Sequence, residues 1–414
     1  MAKLLFFSTA APEGGHYRSM ATIGAAMQRR GHKVWIVSGS GPGIRLAQDL
    51  GIKTILLPSK PYKSIEFNWR DYNYLRKLIL TLKPDIANTF ANGIPALIFA
   101  SRNTSTSVTA TICGGPPRRI IPYITPIIVF SDELKENMAM LGIPKSEVHV
   151  IPGRIHLEVP SVDSEVNAFL RRIGLGPASG PFVFMICRAD VPKCRAVQNF
   201  FLAAELYANR GGQGTFIHIG KGKDTSFVGM LQELAHEVNQ RSGRKVLIST
   251  EEGSDAPVKF LHLADVVVGM GRSAFEGMML AKPTVVLSNE GYGGIVNQTN
   301  VPLLAQYNFT SRGIPQPVDA EVQSSLATDI LELTQSPPDR EQLACFGEQW
   351  CRANLDVECA AERYELLFHL MMSKSKPPIR WSNLVLNIGY ETLRSIMYRP
   401  IQMLYSSRMR GALK

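Results

Sequence analysis

The most informative stretch of the chain reads Val268-Gly-Met-Gly-Arg-Ser-Ala-Phe-Glu276 and continues as Gly-Met-Met-Leu-Ala-Lys-Pro-Thr-Val-Val286. A buried strand runs into a glycine turn, and a helix and a second strand follow. Gly269 and Gly271 make the turn flexible, and the amino end of a helix over Ser273–Leu280 can receive phosphate oxygens. The stretch therefore predicts a strand-turn-helix-strand module with an anion site at its turn.

The same alternation of apolar runs and helical patterns extends over most of the chain. In the first half the predicted strands are Lys3–Ser8, Lys33–Ser38, Thr54–Leu57, Ile86–Asn88, Ser107–Ile112, Pro126–Phe130 and Val148–Pro152. In the second half they are Phe182–Cys187, Thr215–Gly220, Lys245–Ser249, Val266–Val268 and Thr284–Leu287. Since 414 residues exceed one ordinary core, we expect an α/β fold with two doubly wound Rossmann-like domains facing a cleft.

Four segments follow from this pattern. We expect a first Rossmann-like domain over residues 1–160 and a second Rossmann-like domain over 161–355, with the polar segment Val162–Glu165 as linker. A return helix over 356–373 packs toward the first domain, and a basic amphipathic tail covers 374–414. Ligands of such sheets lie beyond the carboxyl ends of the strands, so the cleft between the domains is the expected site.

Charge is concentrated in the tail, which has eight Lys or Arg against Glu391 alone and so carries +7 of the formal +10. A basic amphipathic segment favours an anionic membrane surface as partner. An extra helix packed on the body is the alternative, and no nucleic-acid partner is expected.

We expect neither a secretory signal nor a transmembrane segment, because the longest nearly uncharged apolar stretch, Ile120–Phe130, is short and contains two prolines. A cytoplasmic protein, peripheral on the inner face of the cell membrane, is predicted.

The six cysteines form no Cys-x-x-Cys pair and have no histidine at metal spacing. They are interpreted as buried thiols of a protein from a reducing compartment. No Asp-x-Asp metal signature stands out either. The sequence predicts no metal site and no cofactor.

A basic pair lies in Arg188-Ala-Asp-Val-Pro-Lys193, just past a predicted strand. A guanidinium and an ammonium on one loop can hold the two phosphates of a sugar nucleotide, although two solvated cations are the plain alternative. Glu276 is expected on the first turn of its helix, where it either complements the helix dipole or accepts hydrogen bonds from a ribose.

Another glycine turn lies in Glu13-Gly-Gly-His-Tyr-Arg18, between the first strand and the first helix, which is predicted over Met20–Gly31. Gly14, Gly15 and His16 are candidate contacts of the sugar nucleotide, and a tight strand-to-helix turn explains the same glycines without a ligand. Tyr17 and Arg18 follow as candidate contacts of a second, acceptor substrate.

Together these residues resemble glycosyltransferase family 4, a group of two-domain enzymes of the GT-B fold, from about Leu4 to about Phe368. The resemblance implies that residues 1–160 form the acceptor-side domain and residues 161–355 the nucleotide-sugar-binding domain. The first glycine turn, the basic pair and Phe275–Val286 carry the resemblance most specifically. The resemblance implies a retaining hexosyltransferase-type enzyme with Arg188, Lys193 and Glu276 as catalytic residues. The resemblance further implies that, besides these three, the following residues contact the sugar donor: Gly14, Gly15, His16, Gly269, Gly271, Arg272 and Ser273.

The sequence departs from the family at two places. Val268 stands where the family has the first glutamate of its Glu-x7-Glu signature, which usually contacts donor-sugar hydroxyls. Many members have a histidine after the strand ending near Ile112, where this chain has Cys113-Gly114-Gly-Pro.

The expected reaction moves a sugar from a nucleotide-diphosphate sugar, taken to be a UDP-sugar, to an acceptor hydroxyl without metal. Cations and helix amides at the departing diphosphate stabilise the charge that builds up in the transition state. The acceptor is expected to be a glycan, a lipid-linked glycan, a glycolipid of polysaccharide or glycolipid biosynthesis, or a small molecule. Aromatic and basic residues in Lys60–Arg76, with Cys113, Gly114, Arg118 and Arg119, are the acceptor-side candidates; a solvated helix face over ordinary core aromatics is the alternative.

Two other classes stay open. A nucleotide-sugar epimerase or hydrolase on the same architecture would need an acid and a base carboxylate that the sequence does not reveal. A sugar-nucleotide-binding protein without catalysis would fit both departures. A nicotinamide oxidoreductase fits worse, because Gly-x-Gly-x-x-Gly is absent after the first strand.

Overall fold

A computed structural model of the protein describes residues 1–12, 14–58, 69–90, 93–115, 118–156, 164–176, 180–222, 224–254, 257–315, 317–374 and 389. The chain forms two compact units. Unit 1 contains Met1–His156 and the described chain from Leu355 on, and unit 2 contains Leu157–Asn354.

Unit 1 is built on a seven-stranded sheet in which all neighbouring strands are parallel. The strands are β1 (Lys3–Ser8), β2 (Lys33–Ser38), β3 (Lys53–Leu56), β4 (Ile86–Phe90), β5 (Ser107–Ile112), β6 (Ile127–Val129) and β7 (Val148–Val150). Their order is β3-β2-β1-β4-β5-β6-β7, so the winding direction reverses between β1 and β4. The helices are α1 (Gly15–Arg29), α2 (Ile44–Asp49), α3 (Trp69–Leu82), α4 (Ile94–Ala100) and α5 (Asp132–Met140).

Strand β1 is apolar on both faces, as expected for a strand inside a parallel sheet covered by helices. In β1, Leu4 and Phe6 point into one core and Leu5 and Phe7 into another. The alternation of a strand sends successive side chains to opposite faces, so one strand serves two hydrophobic layers.

Unit 2 repeats this plan with six strands. These are β8 (Phe182–Ile186), β9 (Thr215–Ile219), β10 (Leu247–Thr250), β11 (Val266–Gly269), β12 (Thr284–Ser288) and β13 (Gly291–Ile295). The order is β10-β9-β8-β11-β12-β13, with β13 antiparallel to β12 and the other pairs parallel. The helices are α6 (Ser164–Arg172), α7 (Cys194–Asn209), α8 (Thr225–Arg241), α9 (Arg272–Met279), α10 (Val301–Gln306), α11 (Asp319–Gln335) and α12 (Pro337–Leu355).

The chain then returns to unit 1 as α13 (Val357–Ser373). Gly153 makes this return possible, because a Cβ at this position would lie 2.4 Å from the Asp356 carbonyl oxygen. The amides of Arg154 and Ile155 both donate to the Leu355 carbonyl at 3.0 Å. On α13, Tyr364 is fully buried in the core it shares with α1 and β1.

The predicted fold class is confirmed, since both units are doubly wound α/β sheets of Rossmann type. Several boundaries differ. Helix α1 begins at Gly15 instead of Met20, because Gly14 already acts as its N-cap. The predicted linker was wrong at its end, where Ser164 and Glu165 are the first residues of α6, and residues 162–163 lie outside the described ranges.

Strand β13 was not predicted. The run Gly291-Tyr-Gly-Gly-Ile295 contains three glycines, which lack the side chains that produce a strand signal. Of the predicted tail only Lys374 and Gly389 are described, and part of the aromatic stretch, residues 60–68, also lies outside the described ranges.

Candidate functional site

The two strongest sequence motifs of unit 2 follow adjacent strands. The loop from Arg188 to Lys193 follows β8, and the turn from Gly269 to Gly271 follows β11. Strands β8 and β11 are parallel neighbours, and the winding of the sheet reverses between them. Reversal points of this kind form a crevice at the carboxyl ends of the strands, which is where open α/β sheets bind ligands.

The basic loop places its two cations differently. The Arg188 side chain is 56% exposed, and its Nη1 lies 2.9 Å from Oδ2 of Asp190. Lys193 ends a short 3-10 turn over Val191–Lys193 and is the N-cap of α7. Its Nζ lies 3.1 Å from Sδ of Met270, in the glycine turn after β11. The structure thus brings the basic loop into contact with the second motif.

The glycine turn is closed by its own hydrogen bonds. The Gly271 amide donates to the Phe309 carbonyl at 2.9 Å, and the Met270 amide donates to Oγ of Ser273 at 3.1 Å. Gly271 has φ +52° and ψ −120°, a conformation essentially confined to glycine. A Cβ on Gly269 would lie 2.8 Å from Ser273 Oγ. This packing fixes the amino end of α9 beside Lys193.

Glu276 lies in the second turn of α9 instead of the predicted first turn, because α9 begins at Arg272. The residue is only 7% exposed, and its Oε1 accepts from Nε of Arg272 at 2.8 Å. The carboxylate is therefore held by a neighbour one turn earlier on the same helix. A ribose would have to share the carboxylate with Arg272.

The side chain of Val268 is completely buried. It lies in β11 and belongs to the hydrophobic core of unit 2. The side chain at the position of the missing family glutamate therefore does not line the turn.

Asn289 and Asp319, which were not predicted as site residues, hold the basic loop and the start of α7 in place by hydrogen bonds. Oδ1 of Asn289 accepts from the Ala196 amide at 3.0 Å, at the start of α7, and its Nδ2 donates to the Pro192 carbonyl. Nε of Arg195 donates to Oδ1 of Asp319 at 2.7 Å. Asn289 follows β12 and Asp319 begins α11, so only the folded chain reveals these contacts.

The layer beneath the loop is buried. A Cβ on Gly220 would lie 1.8 Å from the Cys187 carbonyl oxygen, so the loop after β9 packs directly on the loop after β8. Burial raises the pKa of the Cys187 thiol to about 11, although Lys193 and Arg188 favour the thiolate. Burial lowers the pKa of His218 to about 4. Its Nε2 lies 2.8 Å from the Cys187 carbonyl and must carry the proton, and Nδ1 lies 3.0 Å from Ser249 Oγ.

Unit 1 places its candidates at the carboxyl end of β1, also beside a reversal point. Gly14 caps α1, whose first residues are Gly15, His16, Tyr17 and Arg18. Tyr17 is fully buried in the core and its hydroxyl lies 3.4 Å from Ser38 Oγ, so burial raises its pKa. Tyr17 is thus a core residue here and does not offer an accessible acceptor contact.

The second group of unit 1 follows β5. Burial raises the pKa of the Cys113 thiol to about 12, against the effect of Arg154 and Arg118. Gly114 has φ +138°, and the Arg118 backbone exchanges two hydrogen bonds with the Asn137 side chain at 2.8 and 2.9 Å.

Arg119 is exposed, and Arg154 is buried with its guanidinium 4.4 Å from the Phe130 ring centroid. Arg154 was not selected from the sequence, because nothing in the run Ile151-Pro-Gly-Arg154 predicts that its guanidinium is buried near Cys113.

The cysteine prediction was partly wrong. All six are free thiols, but only Cys187 and Cys351 are buried, while Cys345 and Cys359 are exposed on α12 and α13. Within the described ranges, no three His, Cys, Asp or Glu side chains are grouped so that they could hold a metal ion. In the same ranges, no helix is long and apolar enough to cross a membrane.

The family model described as Glycosyltransferase Family 4 matches residues 13–159. This confirms the predicted resemblance over the first part of unit 1, including the turn at Gly14 and the group after β5. No curated protein sequence matches the chain.

Solved structures share the fold of nearly the whole chain. A glycosyltransferase from Rickettsia africae is 15% identical with a TM-score of 0.66, and the alignment covers 90% of this chain and 99% of that one. HepE from Anabaena, in complex with UDP and glucose, is 16% identical with a TM-score of 0.64 over 89% of this chain and 100% of its own. UDP-GlcNAc 2-epimerase from Neisseria meningitidis, bound to UDP-GlcNAc, is 15% identical with a TM-score of 0.56 over 89% and 100%. These structural similarities show that the chain has the GT-B fold.

Proposed function

We propose that this chain is a glycosyltransferase that moves a sugar from a UDP-sugar to an acceptor hydroxyl. The observation that carries the proposal is the contact of Lys193 with Met270, which joins the basic loop and the glycine turn where the winding of unit 2 reverses. The match to Glycosyltransferase Family 4 over residues 13–159 supports the reaction class. HepE, of similar fold, has been solved with UDP-glucose, which supports a uridine donor.

The proposed roles follow from where charge develops. When the bond between the anomeric carbon and the diphosphate oxygen breaks, its electron pair stays on the diphosphate. Arg188, Lys193 and the amino end of α9 are proposed to hold that diphosphate, so they stabilise the transition state more than the ground state. Glu276, oriented by Arg272, is proposed to accept hydrogen bonds from the ribose hydroxyls.

We further propose that the anomeric configuration is retained and that no metal is needed. In a front-face reaction the acceptor oxygen bonds to the anomeric carbon on the side from which the diphosphate leaves. The acceptor proton passes to the departing phosphate oxygen, so no protein nucleophile is required. Fixed cations then supply the charge stabilisation that a metal ion provides in other transferases.

The proposed acceptor is a glycan or glycolipid at a membrane. Trp69, at the start of α3, is 68% exposed and meets Tyr72 edge to face at 5.4 Å. The exposed Arg119 adds a cation that suits a phosphate of a lipid-linked glycan.

An epimerase is the second candidate, because the Neisseria meningitidis UDP-GlcNAc 2-epimerase has the same fold. An epimerase converts its UDP-sugar without an acceptor and keeps the sugar attached to UDP. A transferase releases UDP only as the acceptor is glycosylated.

The test combines thermal unfolding with product analysis on the full chain. UDP-, GDP- and ADP-sugars are each added, and release of free diphosphate is followed with and without a lipid extract of membranes. We expect stabilisation by UDP-sugars and extract-dependent UDP release, both lost in Arg188→Ala and Glu276→Ala but kept in Arg241→Ala, an exposed cation of α8. A new UDP-sugar formed without extract would make the chain an epimerase, and an inverted product anomer would exclude the front-face reaction.

A further inference from the structure

A cavity of about 650 Å³ lies in unit 1 at the edge of the sheet opposite to the candidate residues of that unit. Its wall includes Ser107, the first residue of β5, Pro126 just before β6 and Glu147 just before β7. These are amino ends of strands, whereas Gly14 and Cys113 follow carboxyl ends. The cavity is therefore distinct from a nucleotide-sugar or acceptor site at the carboxyl edge.

The wall of the cavity combines an aliphatic part with a polar part. Six aliphatic side chains from α4, β5, the loop before β6 and α13 form the aliphatic part: Ile98, Val108, Ile124, Leu367, Leu370 and Met371. The volume of the cavity lies within the range of roughly 300–1,000 Å³ that is usual for small-molecule sites. Such a wall suits an amphipathic ligand, with a hydrocarbon chain against the aliphatic side chains and polar groups against the others.

Ser101 gives an independent sign of a ligand. Its residue is only 6% exposed and lies in the cavity wall. Its hydroxyl is buried and has no hydrogen-bond partner among the described residues. Buried hydroxyls normally have a partner, so a polar group of a bound molecule would complete this one.

Cations accompany the apolar wall. Arg102 and Lys374 both line the cavity, as does His149. Burial lowers the pKa of His149, the neighbouring Glu147 opposes this, and Lys135, Arg363 and Lys374 lower the pKa further. Among the Lys, Arg, Asp and Glu side chains of the wall, the two cations Arg102 and Lys374 outnumber the carboxylate of Glu147, which favours an anionic head group.

The mouth of the cavity carries apolar side chains that face solvent. Leu370 lines the cavity and is still 54% exposed, and Leu366, one turn earlier on α13, is 60% exposed. Met372 is exposed as well. Neighbouring exposed apolar residues mark contact surfaces, and a bilayer is the partner that is apolar and also supplies an alkyl chain.

We propose that this cavity binds one acyl chain of an anionic membrane lipid, with Arg102 and Lys374 at its head group and Leu366 and Leu370 at the bilayer surface. The site is independent of the proposed sugar transfer, because it lies at the other edge of the sheet. It would hold unit 1 on the membrane through α13.

Dodecyl phosphate, kept below its critical micelle concentration, is the probe for the chain site. Calorimetric titration of the full chain should show one bound molecule, and Leu370→Glu should weaken binding at least tenfold. Leu366→Glu is the matched control, since it adds the same charge to the same helix outside the cavity wall and should leave binding within twofold. Both leucines are more than half exposed, so thermal unfolding should be unchanged in either variant.

Two further titrations distinguish the contribution of the head-group charge from that of the alkyl chain of the ligand. Inorganic phosphate should not bind measurably, and Lys374→Glu should weaken dodecyl phosphate binding severalfold, whereas Lys53→Glu on edge strand β3 should not. Equal loss in Leu366→Glu and Leu370→Glu would mean nonspecific adsorption, and inorganic phosphate binding as tightly as dodecyl phosphate would mean a plain anion site. Either result overturns the proposal.

Vesicles identify the lipid as a membrane component. Leu370→Glu should weaken binding to vesicles of phosphatidylglycerol and phosphatidylcholine at least fivefold, while Met140→Glu, exposed on α5, should not. Dodecyl phosphate binding that depends on Leu370, combined with vesicle binding that does not, would contradict a membrane lipid as the ligand.

Discussion

At the scale of single residues, the environment of Val268 decides what that position can do. The side chain is fully buried in β11, between neighbours β8 and β12. A carboxylate at this position would be taken out of water without a partner. The absence of the family glutamate is therefore compatible with an intact glycine turn directly after it.

We predict that Val268→Glu destabilises the protein and does not improve donor binding. An uncompensated buried charge costs roughly 3–5 kcal/mol. Val268→Ala, which removes the same side chain without adding charge, should lose less. Urea unfolding of both variants measures this, and a stable Val268→Glu protein with tighter UDP-sugar binding would show that the position faces the donor.

His218 predicts a pH dependence of stability. Its pKa is about 4 in the folded protein and 6.5 in the unfolded chain, so the unfolded state binds the proton first as pH falls. Its contribution is fully present above pH 6.5 and is lost between pH 6.5 and about 4. The loss amounts to about 3 kcal/mol.

Chemical unfolding at pH 7.5 and pH 4.5 tests this prediction. The neutral variant His218→Gln should have a lower stability at pH 7.5 but a clearly smaller drop between the two values. An equal drop in wild type and variant would assign the pH dependence to other groups.

Some site residues could be predicted because their signal is local. Arg188, Lys193 and Glu276 stand beside glycine turns that follow apolar strands, which is visible in the sequence. Their partners could not be predicted. The contact between Lys193 and Met270 joins residues 77 positions apart, which depends on the pairing of β8 with β11.

At the scale of elements, the turn between β11 and α9 has the strictest backbone requirement. We predict that Gly271→Ala costs about 1–3 kcal/mol and weakens UDP binding, because φ +52° with ψ −120° is unfavourable for any residue with a Cβ. Gly229→Ala in α8 is the control, since nothing lies within 4 Å of its added Cβ. It should stabilise the helix by roughly 0.5–1 kcal/mol. Thermal unfolding and UDP titration check both, and unchanged UDP affinity in Gly271→Ala would separate this turn from the donor site.

Strands were easier to predict than the elements that end or connect them. β1 and β2 match their predicted bounds because buried parallel strands are continuous apolar runs. β5 also matches, because its β-branched residues favour a strand although three of its six residues are polar. Strand β13 has no such run and depends on the edge offered by β12. Helix α1 starts five residues earlier than predicted, since its first turn is polar and small where the hydrophobic pattern is weakest.

At the scale of the whole molecule, two doubly wound units could be predicted because the alternation of strands and helices restarts after Val150. A return helix over 356–373 that packs toward the first domain was also predicted, but the side chains that hold it there were not. Arg30 and His32 lie 2.6 and 3.0 Å from the Glu365 carboxylate, contacts that no local pattern reveals.

The charge distribution predicts a salt-sensitive membrane interaction of the tail. Deleting residues 375–414, which carry most of the net charge, should weaken binding to phosphatidylglycerol vesicles at low salt, because each basic residue near such a surface contributes about 1 kcal/mol. Vesicle co-sedimentation at 50 and 500 mM salt measures this, and the difference between the full and the shortened chain should shrink at the higher salt concentration. Equal binding of the two chains at 50 mM salt would contradict a contribution of the tail.

The most direct measurement is calorimetric titration of the full chain with UDP. We expect one UDP site in unit 2. The affinity for UDP should be at least tenfold lower in Arg188→Ala and in Lys193→Ala, which corresponds to a loss of about 1.4 kcal/mol or more of binding free energy. Arg241→Ala, which removes an equal charge from the exposed side of α8, should bind UDP like the wild type. Equal affinity in all four proteins, or no UDP binding at all, would contradict a diphosphate site where the basic loop meets the glycine turn.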